Sequence, residues 1–273
     1  MEARDVFPAM AGFPDAVTDV ACVPKDVTSL RLVSKALNLA LLLELSRLER
    51  LWCFDLNVES ASMVGRLDTL RRLYVDGCRL AGLGALAGLT RLEVLSVERG
   101  TRITSLEELA PFRGVRALGV LHFPKVRSLT PLTQFDSLRA LAVAGGMWAR
   151  LTVESLAPLS SLRSLQYLHL TNLKARDGSL EPLASLTGLK TLELPNFYSI
   201  EEFARLSAHL RTTRCTWFSS FVPMPSSTCD RCGLASMVML TGKGMPTLCL
   251  WCDELRVRRH DEHFKSLAAS AGR

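Results

Sequence analysis

The sequence predicts an α/β solenoid: short stacked coils, each adding one strand to a common parallel sheet, with a small separate module at the C-terminal end. Two observations predict it. Leucines recur in a fixed pattern about every 22 residues through most of the chain, which signals units that bury their apolar faces only against their neighbours. Two C-x-x-C pairs then stand close together beyond the last repeat, where the leucine pattern has ended.

Taken in order, residues 1–25, with Pro8, Pro14 and Pro24, read as an irregular N-terminal cap. Residues 26–221 read as the solenoid. Its first clear copy is Leu45, Leu48, Leu51 and Cys53, followed by Leu67, Leu70, Leu73 and Val75, then Leu89, Leu92, Leu95 and Val97. Phe112, Val115, Leu118 and Val120 continue it, then Phe135, Leu138, Leu141 and Val143. A longer step leads to Leu162, Leu165, Leu168 and Leu170, and the last clear copy is Leu186, Leu189, Leu192 and Leu194. The solenoid is expected to close through Phe203, Leu206 and Leu210 into a strand over Cys215–Phe218. Pro223, Pro225 and Ser226-Ser227 read as a short linker into the module, residues 222–273.

Through the L-x-x-L-x-L core of each copy the chain resembles the leucine-rich-repeat family, over roughly residues 26–215. It is most similar to the short-repeat class, which includes a regulatory subunit of protein phosphatase 1 and the bacterial internalins. That class often carries x-L-x-P-L-x-x-L after the strand, found here as Leu129, Pro131, Leu132 and Phe135; Leu156, Pro158, Leu159 and Leu162; and Leu180, Pro182, Leu183 and Leu186. The resemblance implies a horseshoe with a parallel sheet on its concave side. One feature departs from the family: where it usually places Asn, this chain has Leu56, Cys78, Gly100, Phe123, Gly146, Leu173 and Phe197. The turns must therefore be held by something other than an Asn ladder.

Composition agrees with a Leu/Ala/Val interior: 48% of residues are hydrophobic and only 7% aromatic. No apolar run approaches the roughly 18–20 residues of a membrane helix, and the N-terminus, with Glu2 and Asp5, does not read as a signal peptide. A cytoplasmic protein without membrane contact is the expectation. The net charge of +6 is spread over the repeats, at Arg47, Arg50, Arg66, Arg71, Arg72, Arg91 and Arg139 among others. No block of like charges forms a nucleic-acid-binding arm.

Cys229 and Cys232, a gap of sixteen residues, then Cys249 and Cys252 form the strongest chemical motif. Four thiolates so spaced suit tetrahedral zinc at a Zn–S distance of about 2.3 Å. Met237–Leu240 and Met245–Leu248 read as two short strands joined by the glycine-rich turn Thr241-Gly242-Lys243-Gly244, and Gly233 relieves the knuckle after the first pair. The module resembles a zinc ribbon that packs on the last repeat. Four cysteines close the tetrahedron, so the Zn2+ is structural rather than catalytic. Two disulfides would require an oxidising compartment.

Other motifs are weak. His260-Asp261-Glu262-His263 lacks the H-E-x-x-H spacing of zinc hydrolases and lies on an expected charged helix, Glu254–Leu267, with Leu255, Phe264 and Leu267 as its buried contacts. His122, His169 and His209 are too dispersed for a triad, and no G-x-S-x-G, Walker or G-x-G-x-x-G sequence occurs. The expectation is a chain that is not an enzyme.

Side chains alternate across a strand, so the register that turns Leu168 and Leu170 inward turns Tyr167, His169 and Thr171 onto the concave face. The same register presents Arg50, Trp52 and Phe54, then Arg72, Tyr74 and Asp76, then Val94, Ser96 and Glu98. The middle copies present Ala117, Gly119 and Leu121, then Ala140, Ala142 and Ala144, a shallow trough. Trp, Tyr and Arg are enriched at interface hot spots. Another protein is therefore expected to bind Arg50, Trp52, Phe54, Arg72, Tyr74, Asp76, Glu98, Tyr167 and His169. On that reading, alanine at both Trp52 and Tyr74 abolishes binding and leaves the melt nearly unchanged. The alternative is that residues 1–25 fold back and cover Trp52 and Phe54. Function then divides between an adaptor, inhibitor or immunity-type binding protein and a nucleic-acid-associated factor. The second would touch phosphates through Arg231, Lys243, Arg256, Arg258 and Arg259, although residues 226–273 carry seven basic against five acidic side chains.

Overall fold

Each L-x-L pair supplies two inward side chains of a short strand, and stacking the copies places those strands side by side. The computed structural model describes residues 2–272. A nine-stranded parallel sheet runs through the solenoid: β1 (Ala16–Asp19), β2 (Ser29–Leu37), β3 (Arg50–Leu56), β4 (Arg72–Cys78), β5 (Val94–Glu98), β6 (Ala117–Leu121), β7 (Ala140–Ala144), β9 (Tyr167–His169) and β11 (Thr191–Glu193). Between these, β8 (Leu151–Val153) and β10 (Leu173–Ala175) pair in parallel as a second, two-stranded sheet. The register is that of the ladder: Leu51 faces Leu73, Leu73 faces Leu95, Leu95 faces Leu118 and Leu118 faces Leu141.

The chain returns on the opposite side through short 3-10 turns, where the proline-bearing segments lie: Thr130–Gln134, Ala157–Ser161 and Glu181–Ser185, each with its proline in the first turn. There its missing N–H costs nothing and its fixed φ suits the turn. One copy uses an α-helix instead, α2 (Val58–Val64), started by a reciprocal capping box between Asn57 and Ser60. The leucines of strands and returns meet in one continuous core, with Leu70, Leu73, Leu118, Leu138, Leu141 and Leu168 fully buried.

The turns are held by apolar plugs in place of an Asn ladder. At the strand ends Asp55, Gly77, Arg99, His122 and Asn172 adopt left-handed backbone (φ 53°, 90°, 56°, 56° and 49°). The next residue then swings inward, so that Leu56, Cys78, Phe123 and Leu173 are buried. Gly100 lies under the Phe123 ring and Gly146 under the His122 ring; a Cβ would approach those rings to 2.5 and 2.8 Å. Bulky rings fill the turns because a neighbouring copy is glycine there, the preceding one for Phe123 and the following one for His122.

The C-terminal end closes with α3 (Ile200–His209) and the module: β12 (Phe221–Pro223), β13 (Met237–Leu240), β14 (Thr247–Cys249) and α4 (Glu254–Ala271). The β13–β14 hairpin matches the expected strands, with the second shifted towards Cys249. Three details differ from the sequence reading. Cys215 precedes a 3-10 turn over Thr216–Phe218 rather than opening a strand, and a single bridge joins Thr191 to Arg214 just before it. Pro223, expected to open the linker, ends instead an edge strand, Phe221–Pro223, against β13; proline is tolerated there because an edge strand has an unpaired side. In α4 the buried residues are Val257 and Phe264, seven apart on one face, whereas Leu255 is 57% exposed. Leu255 is two positions from Val257, roughly 200° around the helix.

The module docks through its hairpin turn. Asn196 donates to the Leu240 carbonyl (3.1 Å) and accepts from the Gly242 amide (2.8 Å), and the Lys243 amide donates to the Tyr198 carbonyl (2.7 Å). Phe264 joins the solenoid's own core, and Ser220 donates to Asp261 (2.6 Å). Asp261 also takes Lys265 of the same helix (2.6 Å), so the acidic centre of the His260–His263 run ties α4 to Ser220, the residue before β12.

Candidate functional site

Two places carry chemistry. In the module, the sulfur atoms of Cys229, Cys232, Cys249 and Cys252 lie within 4.8 Å of one another. Backbone builds the knuckles: in the first, the Gly233 amide donates to the Cys229 carbonyl (2.8 Å), with Gly233 at φ 71°, and the Cys229 amide donates to the Leu234 carbonyl (2.9 Å); in the second, the Asp253 amide donates to the Cys249 carbonyl (2.9 Å). Sulfur pairs stand 3.9 Å apart (Cys229–Cys252) and 3.7 Å apart (Cys232–Cys249). A tetrahedron with Zn–S of about 2.3 Å has edges of about 3.8 Å, so the donor set has the size and chemistry for zinc. Amides aimed at sulfur hold two thiols low. The Cys252 amide, then the Ser236 hydroxyl, pull Cys249 to about 6. The Arg231 and Cys232 amides lower Cys229.

The second place is the open face of the parallel sheet. Cross-strand register sets its residues in columns. Arg50, Arg72, Val94, Ala117, Ala140 and Tyr167 are successive partners in one; Trp52, Tyr74, Ser96, Gly119, Ala142 and His169 form the next. A third begins Phe54, Asp76 and Glu98. The nine residues expected from the sequence thus do share one face.

That face is occupied by the chain itself. Residues 2–13 lie across it as α1 (Ala3–Val6), a 3-10 turn at Pro8–Met10 and a bend leading to Phe13. Glu2 and Asp5 cap the short helix reciprocally, the Glu2 amide donating to the Asp5 carboxylate (2.9 Å). Val6, fully buried, fills the shallow centre among Tyr74, Val94, Ala117, Ala140, Ala142 and Tyr167. Around it stand polar contacts: Arg72 pairs with the Asp5 carboxylate (3.1 Å), the Tyr74 hydroxyl donates to the Asp5 carbonyl (3.2 Å), and Arg50 donates to the Ala11 carbonyl. Phe13 meets Trp52 and Tyr74 edge-on (ring centroids 5.7 and 5.4 Å) and takes Arg50 over its ring, while Phe7 meets His169 edge-on (4.9 Å).

Individual residues therefore differ from the open-face picture. Tyr74 is fully buried, and so not a free contact; burial raises its hydroxyl pKa against the pull of Arg72. Of the two residues that the alternative reading covers, Trp52 lies against Phe13 and Phe54 stacks on Trp52 (5.4 Å). Asp76 pairs with Arg99 (2.7 Å) and Glu98 is raised by burial, then by Asp76 beside it. The Tyr167 hydroxyl donates to Glu193 (2.7 Å), and His169 contacts Glu193 through Nδ1 (2.9 Å) and the Thr171 hydroxyl through Nε2 (2.5 Å). Burial lowers the His169 pKa, with Glu193 opposing.

Sequence reasoning missed Asp5, Val6, Phe7 and Phe13 as parts of this site, and Arg31, whose guanidinium covers Trp52 (4.1 Å). A signal existed for the segment: Val6, Phe7 and Phe13, apolar residues in a stretch otherwise assigned to an irregular cap. For Arg31 it was concealed, because β2 precedes the first clear leucine copy.

No protein-family model matches the chain, and no curated protein matches it either. Among solved structures it is similar to an internalin from Listeria monocytogenes, with 18% identity and a TM-score of 0.52 over 68% of this chain; the match spans 51% of the internalin, about half of its length. It also matches a second Listeria monocytogenes internalin, C2, at 24% identity and a TM-score of 0.48, covering 60% of this chain and 67% of that one. A leucine-rich-repeat protein from Leptospira interrogans matches at 17% identity and a TM-score of 0.49, covering 74% and 58%. With the nine-stranded parallel sheet and its leucine register, the chain has the leucine-rich-repeat fold.

Proposed function

We propose that this is a non-enzymatic interaction protein, an adaptor, inhibitor or immunity-type factor, that binds a partner protein on the concave face and carries a structural zinc ion on Cys229, Cys232, Cys249 and Cys252. The observation that carries it is the seating of residues 2–13: this face already receives a polypeptide segment, matching apolar centre, ion pair and aromatic edges to it. Solenoids supply extended faces of this kind for partners. A reducing, cytoplasmic setting belongs to the proposal, since the four thiols must stay reduced to hold a metal.

Binding to nucleic acid through the module has less support. Arg231 and Arg256 both engage Asp253, and Asp261 and Glu262 offset neighbouring bases. Trp251, 72% exposed, is the aromatic residue there open to base stacking.

The test is affinity capture from host lysate with full-length chain, with and without nuclease, repeated with an Arg50→Glu, Phe54→Ala chain of unchanged melt. A stoichiometric protein that survives nuclease and is lost with the variant supports the reading. Its retention by the variant moves the interface off this face, and loss on nuclease treatment with recovered RNA or DNA moves it to the module.

A further inference from the structure

We propose that residues 2–13 are an intramolecular stand-in for the partner. They fill the binding face reversibly, and the partner is a polypeptide segment that displaces them by presenting an acidic residue followed by a small apolar and an aromatic side chain on one helical turn. The proposal rests on the concave face being the interaction surface.

Four observations make the segment an occupant rather than a piece of the fold. Its apolar cluster, centred on Val6, is distinct from the core inside the coils. Its removal therefore uncovers a surface and opens no cavity between repeats. Its backbone-to-backbone hydrogen bonds stay within it, Asp5 to Glu2, Phe7 to Ala3, Met10 to Phe7 and Ala11 to Pro8, and it adds no strand to the sheet. It thus brings its own shape, as a partner helix would. Only Pro14 and Asp15 separate it from β1, so it acts at the high effective concentration of a short tether, which a partner must exceed.

The fourth observation says where a partner gains. The segment fits the rungs of β4 to β9 but leaves polar atoms of β2 and β3 unpaired. Ser29 Oγ, Arg31 Nε, Arg50 Nε and Trp52 Nε1 are buried and find no hydrogen-bond partner in the protein. They stand on adjacent rungs, Ser29 facing Arg50 and Arg31 facing Trp52. Buried polar atoms are normally paired. A partner whose chain continues past the Phe13 position with carbonyl or carboxylate oxygens would satisfy what the tethered segment does not.

The probe is a synthetic peptide of Glu2–Asp15, fluorescently labelled at its C-terminus, measured by anisotropy against full-length chain and full-length Val6→Asp. An aspartate at the fully buried Val6 position has no partner there and should expel the segment, an opening read by hydrogen exchange at amides 5–11. The expected result is at least tenfold tighter binding to Val6→Asp than to the unaltered chain, abolished when the peptide itself carries Val6→Asp. Equal binding to both chains, with exchange proving the variant open, overturns the proposal.

A second chain, with a protease site inserted between Pro14 and Asp15, keeps every contact and guards against a misfolded variant. After cleavage, exchange of the native segment for excess labelled peptide supports the proposal, and retention through prolonged competition overturns it. Either peptide result is independent of whether the lysate holds a partner, so the two readings fail separately.

Discussion

Both ends of the chain fold back onto the solenoid, but in different ways. The C-terminal module shares the solenoid's core through Phe264 and locks its hairpin turn to Asn196 and Tyr198 by backbone and amide hydrogen bonds. The N-terminal segment shares no core, sits on the sheet face, and is held by Val6, three side chain–backbone or ion-pair contacts and aromatic edges. An end that completes a core is a cap. An end that completes only a surface is a ligand in place. The difference predicts that perturbations at the two ends have unequal reach.

The largest expected effect belongs to the proposed zinc ion. The module's own buried cluster is Val238, Leu240, Leu248 and Val257, too small to hold a hairpin alone. One zinc per chain is expected by elemental analysis. Chelation, or Cys249→Ser, should unfold the hairpin and expose β12, since metal sites of this type couple on the order of 10 kcal/mol to folding. A hairpin unchanged in hydrogen exchange after chelation would contradict this. Next come the cores: Phe264→Ala should cost about 3–5 kcal/mol and Leu118→Ala about 2–5 kcal/mol in denaturant unfolding.

At the other end, Val6→Asp should leave the main unfolding transition within about 1 kcal/mol of the parent, because the exposed face is a surface change and the coil interior is untouched. A collapse of that transition would make the segment part of the fold. Asp5→Asn should weaken the segment's seating by about 1 kcal/mol and remove most of its salt dependence, the Arg72 ion pair being half-buried.

The smallest effect is a pH dependence. His169 faces Phe7 from the segment and Glu193 and Thr171 within the sheet, and burial depresses its pKa below 6.5. The folded form therefore prefers the neutral ring. Segment protection should be constant above about pH 6.5 and decline below it as protonation is forced, until the folded pKa is passed. Protection that rises on acidification would show Glu193 to outweigh burial.

Much of this was legible in the sequence. Strand register, the buried face of each rung, the proline turns and the cysteine knuckles follow from spacing alone, because each repeats or pairs at fixed intervals. What was not legible lacked a period. Val6, Phe7 and Phe13 belong to no sustained period, the seven-residue step from Val6 to Phe13 being broken by Pro8 and Gly12, so nothing in the sequence says which face they seek. The turns dispense with Asn by combining a left-handed residue with an inward Leu, Cys or Phe, a tertiary fit between neighbouring copies that one copy does not reveal. In α4, Leu255 and Val257 are equally apolar, and only the docked orientation selects Val257.

Native-state hydrogen exchange on the unaltered full-length chain, comparing amides 5–11 with those of β4 to β7, decides whether the N-terminal segment is an occupant or a part of the fold. An occupant opens by itself. The segment should therefore exchange through a local opening whose free energy lies well below that of the strands and does not change with mild denaturant. If amides 5–11 instead exchange only with the strands, through one global unfolding, the N-terminal segment is an integral part of the fold and the concave face is closed.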